Sequence, residues 1–402
     1  MAKTSGVYQR HRKTCDRTKT RCDCPWSYLI ETPAAAGGKR RQFTKSGFAS
    51  KTEAKRAREE ALVEHRAGRV DVDRKITVTD YLNRWIDGKE AAGSVRPSTV
   101  RGYRDVIGKF VAPHIGNVRL VDMTPGHLDR MYSAIRRERP DVTPSTIRRI
   151  HATLRSAFRS AVKRGEMKHD VTAHVELPAH RRPRVTPWEP AEYAAFIGSD
   201  VVRSHRLRPV FILAAMGGLR RGELAALQWD DVDLDRAVLV VRRQATQVGD
   251  TISITAPKTA AGTDRVVDLD QQTVSVLREH RAAQARERLK FGPAYEDNGL
   301  VFAREDGAMY RPDHLAKTFT RLIARVSVDG EPLRRVRFHD LRHLQASLML
   351  AAGVPMAVVS KRLGHSNVAV TSDTYSHLLG GVGASAAEAA AALIPTGSEG
   401  RP

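Results

Sequence analysis

From Ile76 to about Gly165 the apolar positions recur with a helical period. Val78, Tyr81, Leu82, Trp85 and Ile86 fall at i, i+3, i+4, i+7 and i+8, which puts them on one stripe of a helix. Val100, Tyr103, Ile107 and Phe110 repeat the pattern, with Ser98 or Thr99 placed to cap it. Thr124-Pro125 opens a third helix bearing Leu128, Met131, Tyr132 and Ile135, and Thr143-Pro144 a fourth bearing Ile147, Ile150, Leu154 and Phe158. Proline is favoured at the first helical position because the N–H it lacks has no partner there anyway. The pattern predicts an all-α four-helix domain over residues 76–175. Its polar faces carry Arg148, Arg149, Arg155, Arg159, Lys163 and Arg164, which suits a phosphate backbone and equally an ordinary solvated surface.

The pattern changes on both sides of this domain. Ahead of it, β-prone pieces at Trp26 to Ile30 and Gln42 to Thr44 are separated by the turn-like Ala36-Gly37-Gly38. Ser50 and Glu53 then have capping-box spacing before a helix-forming run from Thr52 to His65. Residues 1–70 therefore read as a small β-sheet-plus-helix module, the alternative being a solvated basic arm. Behind it, residues 176–187 combine Pro178, Pro183 and Pro187 with basic residues, as an interdomain linker would. A mixed α/β, mainly α region follows over 188–380, and a tail over 381–402 holds an Ala-rich run, Ser385 to Leu393, able to form a short helix. A multidomain chain is also what 402 residues lead one to expect.

Charge narrows the class of partner. Lys plus Arg number 67 against 45 Asp plus Glu, a net charge of +22. That excess points to a polyanion, because each phosphate neutralised releases condensed counterions. Clusters at Arg10-His11-Arg12-Lys13 and Lys39-Arg40-Arg41 place much of it in the first module. No apolar run approaches the ~20 residues of a spanning helix, and no secretion signal follows Met1, so a soluble intracellular protein is expected. Cys15, Cys22 and Cys24, with His11, contain the ligand types of a small zinc site. Their His-x3-Cys-x6-Cys-x-Cys spacing is not a common finger pattern, however, and reduced, metal-free thiols are the expectation.

Four short sequences carry candidate chemistry. Gly218-Leu219-Arg220-Arg221-Gly222-Glu223 sets an Arg between glycines at a helix start, where backbone amides and a guanidinium could meet a phosphate. Ala256-Pro257-Lys258-Thr259 lies between the β-prone runs Thr251 to Thr255 and Arg265 to Leu269, which predicts a hairpin with Lys258 near its turn. His339-Asp340-Leu341-Arg342-His343 opens a helix on which His339 and Arg342 share a face. His343, at i+4 from His339, raises a metal pair, but no third ligand sits at a suitable spacing. Last come Gly364-His365 and Thr371-Ser372-Asp373-Thr374-Tyr375, a Tyr in polar surroundings unlike a core aromatic. Glu223 reads as a residue that orients Arg220 or Lys258, or caps its helix, more than as an acid or base.

The order Arg, Lys, His-x-x-Arg, His, Tyr over roughly residues 76–380 resembles the tyrosine recombinases of the phage integrase family, related in mechanism to type IB topoisomerases. The resemblance implies that Arg220, Lys258, His339, Arg342 and His365 are catalytic and that Tyr375 is the nucleophile, forming a 3′-phosphotyrosyl ester with cleaved DNA. It implies no cofactor and no metal; two arginines stand where a two-metal nuclease has ions. The implied partners are double-stranded DNA at attachment sites and three further copies of the chain in a homo-tetramer, with a host bending factor and a directionality factor, acting in the cytoplasm at the bacterial nucleoid. The first module resembles the arm-site-binding domain of many integrases. One departure is Leu344-Gln345, where the family often has Thr or another small residue. A Xer-like dimer resolvase and a non-catalytic DNA-binding regulator on the same fold are the alternatives.

Overall fold

The computed structural model describes residues 6–12, 15, 22–32, 41–66, 75–180, 186–257, 260–375 and 391. The chain divides into two units, Met1–His180 and Arg181–Pro402. The expected helix in the Ala-rich tail lies, apart from residue 391, outside the described residues.

The first unit begins with an antiparallel sheet in the order β1 (Val7–Gln9), β2 (Trp26–Thr32), β3 (Arg41–Phe48), followed by α1 (Lys51–Arg66). The first half of the expected capping box is formed, with Ser50 Oγ accepting from the Glu53 amide at 3.1 Å, while Glu53 Oε2 accepts from the amide of Ala49, one residue before the cap, at 3.0 Å. Among the described residues only Val7, Tyr28, Ile30 and Ala54 make this module's buried apolar cluster.

The helical pattern then resolves into α2 (Val78–Ala91), α3 (Pro97–Val106), α4 (Ala112–Ile115), α5 (Pro125–Glu138) and α6 (Pro144–Lys163). The sequence reads Val100 to Phe110 as one regular helix, but a π-helical turn at Ile107–Val111 follows α3 and separates it from α4. Pro113 has no N–H to donate to the preceding turn, and the wider turn keeps Ile107, Phe110 and Val111 all buried. Pro97 occupies the first position of α3 after Arg96, so neither Ser98 nor Thr99 is its cap. Thr143 does cap α6, accepting from the Thr146 amide. The stripes meet in one core that includes Tyr81, Ile86, Leu128, Ile150, Leu154 and Phe158, and Tyr81 donates its hydroxyl to the Ala157 carbonyl at 2.8 Å. Arg148, Arg149, Arg155, Arg159, Lys163 and Arg164 are all exposed.

The second unit is mostly helical with small sheets. After α7 (Pro190–Gly198), α8 (Asp200–Arg203), α9 (Arg208–Gly217) and α10 (Arg221–Ala225) come short strands: β4 (Val232–Asp233), β5 (Val238–Val241), β6 (Gln244–Val248), β7 (Thr251–Thr255) and β8 (Arg265–Asp268). The predicted pairing of the run at 251–255 with that at 265–269 is not formed. β7 pairs with β6, whereas β8 pairs with β5 in the sheet β4-β5-β8. Gly249 and Asp250 supply the tight turn that lets β7 fold straight back on β6, so the stretch holding Lys258 joins two sheets and Lys258 itself lies outside the described residues. The chain continues through α11 (Gln271–Phe291), α12 (Pro312–Ile323), the ribbon of β9 (Ser327–Val328) with β10 (Glu331–Pro332), α13 (Asp340–Ala351), α14 (Met356–Leu363) and α15 (Val368–Tyr375). An apolar core running from Trp188 to Leu344 fixes these elements, with Phe196, Phe211 and Phe319 wholly buried in it. Among the described residues no helix is long and apolar enough to cross a membrane.

Candidate active site

Two helix C-termini build the site. A helix leaves its last carbonyls without intrahelical partners, and cations favour that end of the dipole. At the end of α14 these carbonyls each take an arginine: Arg265 Nε donates to Arg362 O at 3.2 Å, Arg342 Nη2 to Leu363 O, and Arg220 Nη2 to Gly364 O at 3.2 Å. Arg342 also donates to Gly218 O at 2.7 Å, just past the end of α9. Guanidinium groups far apart in sequence are thereby held side by side. Both helices end in a left-handed glycine, Gly218 at φ 65° and Gly364 at φ 64°. A Cβ on Gly218 would stand 2.6 Å from Leu363 Cδ2, so glycine is needed for close approach as well as for φ.

Glu223 locks this arrangement from beneath. Its side chain is fully buried in α10 and takes a bidentate pair from Arg265, Nη1 to Oε1 at 3.0 Å and Nη2 to Oε2 at 2.6 Å. Arg220 adds a third ion contact, Nη1 to Oε1 at 2.8 Å, and its amide donates to Oε2 at 2.8 Å. Burial pushes the Glu223 carboxyl up, but hydrogen bonds and charge from Arg265, with the charge of Arg220, override it and bring it down to about 2. Glu223 thus both positions Arg220 and caps its helix. Its main partner is Arg265, which the sequence reading leaves as the first residue of a strand. Arg265-Val266-Val267-Asp268 does not alternate apolar and polar residues, and only the folded strand reveals Arg265 on the buried face with Val267.

His339 precedes α13 and Arg342 lies in its first turn. Arg342 is 2 % exposed, and burial together with repulsion from Arg220 lowers its guanidinium to about 9. Two of its five N–H groups are used by the carbonyls, which leaves donors for another ligand. Burial, then the charges of His343 and Arg342, lower His339 to about 4. Burial, then the charges of Arg342 and Arg220, do the same for His365, which follows α14 and shares a hydrogen bond with Thr371 Oγ1 at 2.8 Å. Both rings are neutral at pH 7.

Tyr375 ends α15 and corrects the reading of a non-core aromatic. It is 1 % exposed in an apolar cluster with Ala346, Leu350, Val359 and Leu363. Its hydroxyl sits against His343 Nδ1 in a short hydrogen bond, with the rings 5.6 Å apart. Burial raises the phenol, partly countered by the Arg342 charge. His343, also lowered by burial, packs edge-on against His339 at 5.1 Å. The sequence reading considers His343 only as a metal ligand and misses this contact. Arg220, His339, Arg342, His365 and Tyr375 are therefore brought into one neighbourhood, joined by Arg265, Glu223 and His343. At the other end of the chain, His11, Cys15, Cys22 and Cys24 gather their ligand atoms within 4.8 Å of one another.

Comparison with known proteins agrees with this architecture. The model of the phage integrase family matches residues 193–380, and that of the phage integrase N-terminal SAM-like domain matches residues 77–135. A relative from Caldanaerobacter subterraneus subsp. tengcongensis named "Tyrosine recombinase XerC-like" is 29 % identical over 354 residues, 82 % of this chain and 86 % of the relative. Among solved structures, the Tn1549 transposon integrase in complex with a circular intermediate DNA superposes with a TM-score of 0.63 at 18 % identity, covering 75 % of this chain and 95 % of that one. A lambda integrase tetramer bound to a Holliday junction gives 0.54 at 18 % identity over 92 % and 94 % of the two chains. The chain belongs to the phage integrase family of tyrosine recombinases, enzymes that cleave and rejoin DNA strands.

Proposed function

We propose that Tyr375 attacks a DNA phosphodiester held by Arg220 and Arg342, in an integrase that moves a mobile element into and out of a bacterial chromosome. The observation that carries this is the pair of guanidiniums on consecutive carbonyls, Leu363 and Gly364, beside two neutral imidazoles. In the transition state the nonbridging oxygens gain negative charge, which a fixed cation pair stabilises most where water is excluded. The bond from Tyr375 Oη to phosphorus forms as the bond to the 5′ oxygen breaks. The phenolic proton passes to a neighbouring neutral imidazole, and the departing 5′ oxygen takes a proton from Lys258. His339 and His365 hydrogen-bond the phosphoryl oxygens. Because the phosphotyrosyl ester keeps the bond energy, rejoining needs no nucleotide.

His343 holds the phenol in its buried place before DNA binds. At 1 % exposure Tyr375 is withdrawn from solvent, so α15 shifts to present it. Residues 76–175 bind the core site, residues 188–380 cut it, and residues 1–70 bind arm sites. Four protomers exchange strands on two duplexes, with a host bending factor and a directionality factor acting at the element's own sites. The first module favours this integrase role over a resolvase, despite the name of the relative.

A nicked suicide duplex carrying the element's junction tests the reading. The wild-type chain should give a covalent adduct on a denaturing gel that maps to Tyr375, and Tyr375→Phe should give none while still binding the duplex. An adduct at any other residue overturns it.

A further inference from the structure

A cluster of ligand-type side chains in the first module lies outside the residues proposed for strand cleavage. His11 Nδ1 lies 3.4 Å from Cys15 Sγ and 3.3 Å from Cys22 Sγ, and the fourth group, Cys24 Sγ, falls within the same 4.8 Å. Four ligands around a tetrahedral zinc, with Zn–S of about 2.3 Å and Zn–N of about 2.0–2.1 Å, stand about 3.5–3.8 Å from one another. The four groups are thus already near the spacing that one ion imposes. Three are thiols, and none of them is paired in a disulfide.

The surroundings resemble those of a thiolate site. The Arg12 amide donates to Cys24 Sγ at 3.4 Å, the kind of outer contact that fixes a metal-bound sulfur. Gln9 Nε2 donates to Cys22 O at 3.1 Å and Cys24 O at 2.8 Å, tying the ligand segment to β1. All four groups lie on the connection between β1 and β2, so an ion there closes the base of a basic loop bearing exposed Arg10 and Arg12. The module also has a thermodynamic need. Among the described residues the apolar cluster is small, four buried residues with Trp26, Phe48, Ala57, Ala61 and Leu62 partly buried against them, and small domains of this kind commonly rely on a metal or disulfide.

We propose that His11, Cys15, Cys22 and Cys24 form a structural zinc site that folds the N-terminal module and fixes the loop between its first two strands. On binding Zn2+ the three thiols release their protons to solvent, and the closed four-ligand set leaves no position for a substrate. The site stands independently of the strand-cleavage reading.

The test uses the full-length chain without an affinity tag, expressed with zinc and purified with reductant and no chelator. Elemental analysis should find about one zinc per chain, and cobalt substitution should give the visible bands of a tetrahedral thiolate site. Cys22→Ser should weaken zinc binding by about tenfold or more, whereas His11→Cys, which keeps four ligands, should retain it. Chelation should speed amide exchange in residues 6–66 and leave residues 190–375 unchanged. A chain without zinc, a disulfide between two of these cysteines, or full zinc content after replacing all three by serine overturns the proposal.

Discussion

In the helical region the buried side chains are nearly all apolar, and His151, Thr153 and Thr172 are its buried polar residues among those described. In the second unit an apolar core of similar character surrounds buried charge: Glu223, Asp231, Arg265, Asp340 and Arg342. Burying an ion pair rarely stabilises more than apolar residues of the same volume would. The first region therefore shows what packing alone needs. The second pairs Arg220 and Arg265 with the one carboxylate of Glu223 and holds Arg342 beside them on the Gly218 and Leu363 carbonyls, an excess of cation that packing alone does not need.

The sharpest way to break that contrast is Glu223→Ala. It removes the only carboxylate bonded to Arg220 and Arg265 among the described residues and should destabilise the second unit by about 3–5 kcal/mol. Region-resolved hydrogen exchange on the full chain should show this loss in residues 190–375 and none in residues 76–175. Equal loosening of both would show that the network is not local.

A smaller effect comes from pH. His339 and His365 fall from 6.5 to about 4 on folding, so between those values the unfolded chain binds more protons than the folded one. Their contribution is full above pH 6.5 and is lost as the pH drops towards 4. His205, His280, His314 and His343 in the second unit shift the same way, against His151 alone in the helical region among the described residues. Exchange should therefore rise more steeply with acid in the second unit, and the double variant His339→Gln, His365→Gln should flatten that slope.

The smallest expected change is Ile150→Val. Deleting one methylene from the wholly buried helical core should cost about 1 kcal/mol, with no effect on the acid slope. A variant that altered the slope would reveal coupling to His151, the next residue of the same helix.

The parts that were legible in the sequence share a local cause. Thr124-Pro125 and Thr143-Pro144 mark helix starts through the geometry of their own backbone, and the stripe from Val78 to Ile86 marks a buried face because 3.6 residues make a turn. The break at Ile107–Val111 was less visible, since the apolar residues on either side continue the stripe. The motifs around Arg220, His339, Arg342, His365 and Tyr375 could be picked out by type and order, which is chemistry written in the chain.

Strand pairing could not be read that way. The runs at 251–255 and 265–269 both look like strands, but choosing β6 for one and β5 for the other depends on partners elsewhere in the fold. Arg265 and His343 likewise acquire their roles only across long separations: 42 residues from Arg265 to Glu223 and 32 from His343 to Tyr375. The sequence alone determined most of the helices, the excess of positive charge and the candidate reactive groups, because propensity, ionisation and side-chain chemistry are properties of neighbouring or single residues. Tertiary structure decided which carbonyls hold the guanidiniums, which ring meets the phenol and whether one histidine and three cysteines share a point in space, because burial and distance exist only once remote segments have packed.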